Sequence, residues 1–433
     1  MTEQLKGLYS NMEIFLDPVQ VLLGPNQSVY EDSVLIRDHC IIAFGKEARN
    51  CAKELGIKAK NAKEKILAPC LVDPHSRLDE PFYSSSQTLE SLSSEAAMAG
   101  YGQIALLPTK KLKAERLEHL QAIHQRTSNV IFHLWANFSK EGDGLDLSSH
   151  HDLLEIGAVG LVEDETIPPT NLLKKGLVLG EIGNAPLLIA PIDKELQRGG
   201  FVRETVEALR SGLPVDPYIS ELMPVNILLT LQTQHPEVSM RLMNISTAES
   251  VAILKKNLSR PLSTVSWWHL VADTSSLNPT SIGWKVSPSL GSLKDKDALI
   301  TGLHEKILTG VSVQAIPLDH TEVIKPINER VPGVSGHKLV LPMLWNTLVM
   351  QRKWSIEELW EAISFGPSKI LKKPPEQLKV GSNRWLLFNP NQKWVEDQND
   401  PTVISPSNYP SIHQKISGCI ECCGLIQEVA QSD

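Results

Sequence analysis

Five short clusters of polar residues stand at the ends of apolar runs in this sequence. The clusters are Asp73-Pro74-His75, Glu163-Asp164, Asn244, His269 and Asp319-His320. Imidazole and carboxylate groups that converge in one place suit a divalent metal ion with mixed nitrogen and oxygen ligands. The alternative is purely structural, because the same residue types also cap the helices that follow strands.

Eight apolar runs alternate with helical patterns from about residue 65 onward. The runs cover 65–75, 102–108, 129–138, 158–164, 185–192, 238–246, 264–273 and 313–320. The helical patterns between them, with apolar residues three and four apart, include 112–125, 150–158, 170–182 and 296–308. Eight strand–helix repeats predict a parallel (β/α)8 barrel of the TIM type, in which chemistry gathers at the carboxyl ends of the strands. A doubly wound open sheet is the alternative, but its Gly-rich phosphate signature after the first strand is missing.

Both ends of the chain have a different texture, with short β-branched runs separated by turn residues. They predict short strands in residues 1–64 and 376–433, on either side of a barrel that occupies 65–375. The fold class is therefore α/β, a (β/α)8 barrel plus a small β domain.

The composition excludes several functional classes. Among 433 residues, 42 Lys and Arg stand against 50 Asp and Glu, for a formal charge of −8, so we expect no electrostatic binding of nucleic acid. No apolar run approaches the length of a membrane span, and the N-terminus lacks a signal-peptide pattern. We therefore expect no membrane association and a cytoplasmic location. Six cysteines are too sparse for a disulfide framework.

The strand-end motifs resemble those of dihydroorotases in the amidohydrolase superfamily, and the resemblance runs nearly end to end. It rests on LAPCLVDPHSRLDEP at 67–81, IGAVGLVED at 156–164, MNISTAES at 243–250, WKVSPSL at 284–290, AIPLDH at 315–320 and GVSGHKLVLPMLW at 333–345. The resemblance implies the barrel with a small β-sandwich domain built from both termini. It also implies descent from zinc enzymes that reversibly close carbamoyl aspartate to dihydroorotate.

Three metal-ligand positions of the family are kept in this chain. The family's first strand reads Asp-Pro-His-x-His-Leu-Arg-Glu-Pro, so its first ligand histidine falls on His75. The bridging carboxylate of the fourth strand falls on Glu163. The eighth-strand Asp, which in the family is both a ligand and the base for the attacking water, falls on Asp319.

Three other ligand positions are altered, because the remaining histidines of the family fall on Arg77, Ala190 and Asn244. A guanidinium is a permanent cation and cannot ligate Zn²⁺. The positions that hold the substrate in the family are altered as well, and they fall on Asp79, Thr109 and Ser287, while the second His of the eighth-strand motif falls on Val323. Asp79 replaces an arginine, which turns attraction for a substrate carboxylate into repulsion.

The guanidinium of Arg77 is a candidate to replace the positive charge of the metal ions. We expect its guanidinium to pair with Asp319, with Glu163 as a second candidate partner, because carboxylates once held by cations would otherwise repel each other. The alternative is that Arg77 extends into solvent.

Three functional hypotheses follow. The first is a dihydroorotase-like protein without catalysis or a resident cofactor, which acts as a structural or regulatory subunit in pyrimidine biosynthesis. By analogy with superfamily members that have degenerate metal sites, its partner would be aspartate transcarbamoylase or a second copy of itself. The second is an active cyclic amidohydrolase with one zinc ion on His75, Glu163 and Asp319. The third is a small-ligand sensor that uses Trp267-Trp268 as a stacking platform.

Overall fold

The computed structural model describes residues 13–79, 84–109, 112, 130–276, 282–395, 405–410 and 414–426. The helix predicted over 112–125 lies outside the described residues except for Leu112. Within the described part of the chain, no helix is long and apolar enough to cross a bilayer.

Seventeen strands are described, numbered β1 to β17 in chain order. They are Glu13–Val21, Tyr30–Arg37, Cys40–Phe44, Ala59–Pro69, Leu71–Ser76, Tyr101–Leu106, Ile131–Leu134, Ala136–Asn137, Leu161–Glu163, Pro186–Ile189, Val202–Arg203, Val215–Asp216, Ser239–Leu242, Leu262–Ser266, Gly310–Ser312, Trp385–Val395 and Lys415–Cys423.

The described α-helices are numbered α1 to α14 in the same way. They are Gly45–Leu55, Leu89–Met98, His150–Ile156, Thr170–Leu179, Lys194–Gln197, Val206–Arg210, Ile219–Gln234, Ala248–Lys256, Trp267–Val271, Leu293–His304, His320–Val323, His337–Leu344, Ile356–Trp360 and Gly366–Ile370. Two π-helical stretches, Trp345–Gln351 and Glu361–Phe365, continue α12 and α13.

Strands from both ends of the chain form one six-stranded sheet, in the order β17-β16-β4-β1-β2-β3. Strand β4 lies in the middle, parallel to β1 and antiparallel to β16, so it joins the N-terminal and C-terminal parts. Val19, Val34 and Trp385 are fully buried in the core of this sheet. The prediction that both termini contribute to one small β unit is confirmed.

Eight parallel strand segments form the barrel, and seven of the eight predicted runs overlap a barrel strand. Its strands are β5, β6, β7 with β8, β9, β10, β13, β14 and β15, each paired in parallel with the next. The ring closes where the Gln314 amide donates to the His75 carbonyl at 3.2 Å and the Arg77 amide donates to Ala315 at 2.8 Å. The predicted (β/α)8 barrel is confirmed.

Two strand ends differ from the sequence prediction. The seventh strand stops at Ser266, and the Trp-Trp-His segment that follows is the start of α9. The eighth strand is Gly310–Ser312, earlier than the predicted run 313–320. Gly310 explains the shift, because an added Cβ there would lie 2.7 Å from the Pro367 ring of α14, so only glycine lets the strand pack at this point.

Candidate functional site

His75 lies at the carboxyl end of β5, the first barrel strand, and is completely buried. Asp73 fixes the chain around it, since its Oδ1 accepts the Val313 amide at 3.0 Å. The His75 Nδ1 atom lies 2.6 Å from Gln314 Oε1, and Nε2 lies 2.9 Å from Thr264 Oγ1. Burial lowers the pKa of His75 to about 4, so the ring is neutral at physiological pH.

The partners of His75 define its tautomer. A neutral ring has one N–H, which Nδ1 donates to the Gln314 carbonyl, and one lone pair on Nε2, which accepts the Thr264 hydroxyl proton. The same Thr264 oxygen accepts a hydrogen bond from the backbone N–H of Asn244 at 2.8 Å. Asn244 Oδ1 in turn accepts a 2.6 Å bond from Ser312 Oγ. Both ring nitrogens of His75 are therefore used within the protein.

Glu163 ends β9, the fourth barrel strand, and is 4% exposed. Its Oε1 atom accepts the Ser139 amide at 2.6 Å. Burial raises the pKa of Glu163 to about 7, although the bonds from Ser139 lower it in part. Its side chain is thus held by the loop after β8 and carries a proton for part of the time near neutral pH.

Arg77 pairs with Asp164 rather than with the predicted partners. Its Nε and Nη2 atoms lie 3.1 and 2.6 Å from Asp164 Oδ2, and Nη2 lies 3.3 Å from Glu165 Oε1. Lys194 extends the chain of charges with a 2.5 Å bond to Glu165. The expected pairing with Asp319 and Glu163 is wrong, because Asp164 points towards the guanidinium while Glu163 turns to Ser139.

Asp319 does not lie at the end of the eighth strand, as the sequence predicted. It is the residue before α11, where it accepts bonds from Thr321, the Glu322 amide and Ser85. These bonds, with that of Thr321 first, lower the pKa of Asp319. Gln314 occupies the position next to His75 instead, two residues beyond the strand.

Asp319 lines a shallow cleft of about 300 Å³ together with Asp79, Glu322 and Ser84–Ser86. Pro317, Leu318 and Val331 add apolar surface to the same cleft. Three carboxylates and four hydroxyls, those of Ser84–Ser86 and Thr321, give this cleft an acidic, polar lining. Thr109 stands next to it, with its hydroxyl 3.4 Å from the Asp79 carbonyl oxygen.

The other altered positions are scattered. Ala190 is 1% exposed and belongs to an apolar cluster inside the barrel with Trp135, Leu188 and Met243. Asn244 takes part in the His75 network. Ser287 is part-buried after α9, and Val323 is part-buried in α11.

The two adjacent indoles are core residues. Trp267 and Trp268 are 0% and 4% exposed and contact each other edge to face at 5.3 Å. Trp268 Nε1 donates to the Gly283 carbonyl at 2.9 Å. They present no open face to a ligand, so the predicted stacking platform is wrong.

The three ligand positions that the resemblance places on the first, fourth and eighth strands are not brought together. His75 is bonded to Gln314 and Thr264, Glu163 to Ser139, and Asp319 to the start of α11. In the part of the chain that the structure describes, no three His, Cys, Asp or Glu side chains are grouped so as to hold a metal ion. The donor set therefore does not fit the two-metal site of an active relative.

Two residues of this site, and the pairing of a third, were missed from the sequence. Thr264 and Gln314 bond to His75, and Asp164 holds Arg77. The polar positions in 262–266 and 310–314 were a usable signal, because a polar side chain inside an apolar strand must find a partner. Glu163 and Asp164 are adjacent carboxylates, and the residue pattern does not distinguish which of them faces Arg77.

Comparisons with known proteins agree with this architecture. A dihydroorotase-like protein of Synechocystis sp. is 28% identical over 415 residues, covering 88% of this chain and 91% of that protein. A dihydroorotase of Staphylococcus epidermidis is 23% identical over 399 residues, covering 89% and 93%. No family model matches the chain.

Solved structures show the same fold. The L-hydantoinase (dihydropyrimidinase) of Arthrobacter aurescens has a TM-score of 0.73 at 17% identity, covering 96% of this chain and 97% of that one. A D-hydantoinase of Thermus sp. has a TM-score of 0.74 at 16% identity, covering 95% and 94%. This likeness confirms the predicted fold class, a (β/α)8 barrel with a small β-sandwich domain. In its barrel, its strand-end motifs and nearly its whole length, the chain is similar to dihydroorotases.

Proposed function

We propose that this protein is a dihydroorotase-like subunit that has lost metal-dependent hydrolysis and has a structural or regulatory role, in pyrimidine biosynthesis. The observation that carries the proposal is the state of His75. Its two nitrogens are bonded to Gln314 and Thr264, so neither a lone pair nor a free N–H is left for a metal ion or its water.

The neighbouring positions support the same conclusion. Arg77 places a permanent positive charge where the family has its second imidazole, and Asp164 and Glu165 balance that charge without a metal ion. Ala190 offers only a methyl group and Asn244 is bonded to Ser312. To bind here, a zinc ion would have to displace the hydrogen bonds of His75, the ion pairs of Arg77 and the hydrogen bond of Asn244.

The cleft next to Asp319 is also unsuited to the family's substrate. Dihydroorotate and carbamoyl aspartate are anions, whereas Asp79, Asp319 and Glu322 give the cleft negative charge. Like charges repel, so the cleft disfavours an anionic substrate. The arginine that holds the substrate carboxylate in the family is replaced here by Asp79. We therefore propose no dihydroorotate turnover.

The proposed partner is aspartate transcarbamoylase, with self-association as the alternative. The support is analogy with superfamily members of degenerate site, together with a chain that keeps a full-length barrel and a small β unit. Retention of the whole fold without its chemistry favours a role in binding a protein.

The test combines metal analysis with an assay. Protein purified without chelators is measured for metal by elemental analysis and assayed for dihydroorotate ring opening with added Zn²⁺. The matched control is His75→Gln, which removes the one imidazole at the site. We expect no stoichiometric metal and no turnover in either protein, and unchanged thermal stability after treatment with a chelator.

One metal ion per chain that is lost in His75→Gln, together with turnover, would overturn the proposal and establish the single-metal amidohydrolase instead. Binding is tested separately by co-elution with the host's aspartate transcarbamoylase. Separate elution of the two proteins, with this protein monomeric at every concentration, would remove the subunit role.

A further inference from the structure

Arg241 is a buried cation without a counter-charge. It lies on β13, the sixth barrel strand, and is only 9% exposed. Its one hydrogen bond within the described chain runs from Nη1 to the carbonyl of Met240 at 2.9 Å. The Nε atom is buried and has no partner there.

Three other arginines that are largely withdrawn from solvent in the described chain are paired with carboxylates. Arg203, 1% exposed, lies 3.1 Å from Asp216 and 3.0 Å from Glu221. Arg77 has Asp164 and Arg384 has Glu376. Burying a charge without a partner is costly, and natural proteins avoid it unless the charge has a task. Arg241 differs from these three, and it is more deeply buried than Arg330, whose Nε likewise has no partner in the described chain.

The side chain of Arg241 points into the barrel. Arg241 pairs in register with Leu188 on one side and Leu262 on the other, and paired residues of parallel strands project from the same face. Leu188 belongs to the apolar cluster inside the barrel, so Arg241 shares that interior.

The guanidinium lies towards the floor of the barrel, away from His75. It bonds to Met240, which precedes it on the strand, whereas the His75 network begins at Asn244, beyond the strand's other end. Leu371, just after α14, packs into the same interior cluster. Lys372 follows it, and its ammonium group bonds to the Asn184 carbonyl, just before β10 begins at the same end of the barrel.

We propose that the floor of the barrel is a binding site for a small oxyanion, a phosphate or phosphate ester, held by Arg241 with Lys372 at its rim. The Nε–Nη2 edge of a guanidinium is the edge that grips two oxygens of such an anion, and in Arg241 no hydrogen bond to the described chain occupies it. Burial lowers the pKa of Arg241 to about 10, so it stays charged at neutral pH. Leu188 and Leu262 flank the group with apolar surface, which strengthens the attraction for an anion.

The site is distinct from the degenerate site at the opposite end of the barrel, so the inference does not depend on the proposed function. The test uses inorganic phosphate as the probe. Phosphate binding is measured by calorimetry and by the rise in melting temperature, against chloride at matched ionic strength. The variants are Arg241→Met, Arg241→Lys and Lys372→Met.

The matched control is Arg260→Met, which removes a half-buried arginine that bonds only to the carbonyls of Asn257 and Lys306. We expect phosphate to stabilise the parent protein and Arg260→Met equally. Arg241→Met is expected to bind about tenfold more weakly or worse, because a charge-assisted fork is lost. Arg241→Lys, which keeps the charge and loses the fork, should be intermediate.

Arg241→Met also reports on folding by itself. Without phosphate it should be as stable as the parent protein or more so, because an unpaired buried charge is replaced by an apolar side chain. Equal phosphate binding in the parent and in Arg241→Met would overturn the proposal, and so would no phosphate binding by the parent. Should Arg241→Met fail to fold, Arg241→Lys decides in the same way.

Discussion

The Nε2 atom of His75 lies 2.9 Å from the hydroxyl oxygen of Thr264, and that oxygen also accepts the backbone N–H of Asn244. One hydroxyl thus joins the first, sixth and seventh strands of the barrel. Neutral hydrogen bonds therefore hold these three strands together at the carboxyl end of the barrel.

Thr264→Val should destabilise the fold by about 2 kcal/mol, because it leaves the buried His75 Nε2 without a donor and the Asn244 amide without an acceptor. The free energy of unfolding is measured by urea titration. Thr230→Val is the matched control, since Thr230 is exposed on α7 and bonds only to the carbonyl of Asn226. Equal stability of the two variants would show that the His75 network is not structural.

Arg77→Met should cost about 3 kcal/mol, because it leaves the carboxylate of Asp164 buried without a cation. The double variant Arg77→Met with Asp164→Asn removes both charges and should recover much of that loss. Arg352→Met is the control, because the Arg352–Asp297 pair is exposed and should contribute less than about 1 kcal/mol. All three are compared by chemical unfolding at one ionic strength. A small effect of Arg77→Met would mean that solvent stabilises Asp164.

The fold could be predicted from the sequence much further than the site. Apolar runs alternating with helical patterns located seven of the eight barrel strands, because burial on both faces leaves a strong apolar signal. The apolar residues of 313–318 led to a wrong position for the eighth strand, because a loop that is buried is as apolar as a buried strand. The partner of Arg77 could not be predicted, because Glu163 and Asp164 are adjacent and alternate in direction along the chain.

We predict that the buried His269 side chain makes the folded protein less stable in acid. Burial lowers its pKa to about 4 from a usual value near 6.5, so between these values the unfolded chain is protonated and the folded chain is not. Stability therefore falls as the pH falls from 6.5 towards 4, by up to about 3 kcal/mol from this residue. His269→Gln keeps a donor for the Pro288 carbonyl and removes the titration.

The measurement for His269 is the difference in unfolding free energy between neutral pH and the lower end of that window. We expect a smaller difference in His269→Gln than in the parent protein. His151→Gln is the control, because the His151 side chain is 67% exposed. If the pH dependence of His269→Gln matched that of the parent protein, the ring would have to be protonated within the folded state.

We predict that Asn408 controls the local stability of the barrel loop that carries Asp319. The segment 405–410 lies between β16 and β17, yet fully buried Asn408 bonds to the barrel loop. Its Nδ2 atom donates to Ile316 at 2.8 Å, and its Oδ1 accepts the Leu318 amide at 3.0 Å. Leu318 directly precedes Asp319, so Asn408 fixes one wall of the acidic cleft.

Asn408→Ala removes these bonds and should lower overall stability by about 2 kcal/mol, because buried backbone groups lose their partners. The more specific result is local, and it is measured by hydrogen exchange. The backbone amides of residues 316–323 should exchange faster in Asn408→Ala than in the parent protein. The exchange rates of the amides in the six-stranded sheet should change only as far as overall stability changes. Asn391→Ala, which removes an exposed bond to Glu64, serves as the control. Uniformly faster exchange throughout the barrel would instead make Asn408 a general packing residue, with no particular hold on the wall that carries Asp319.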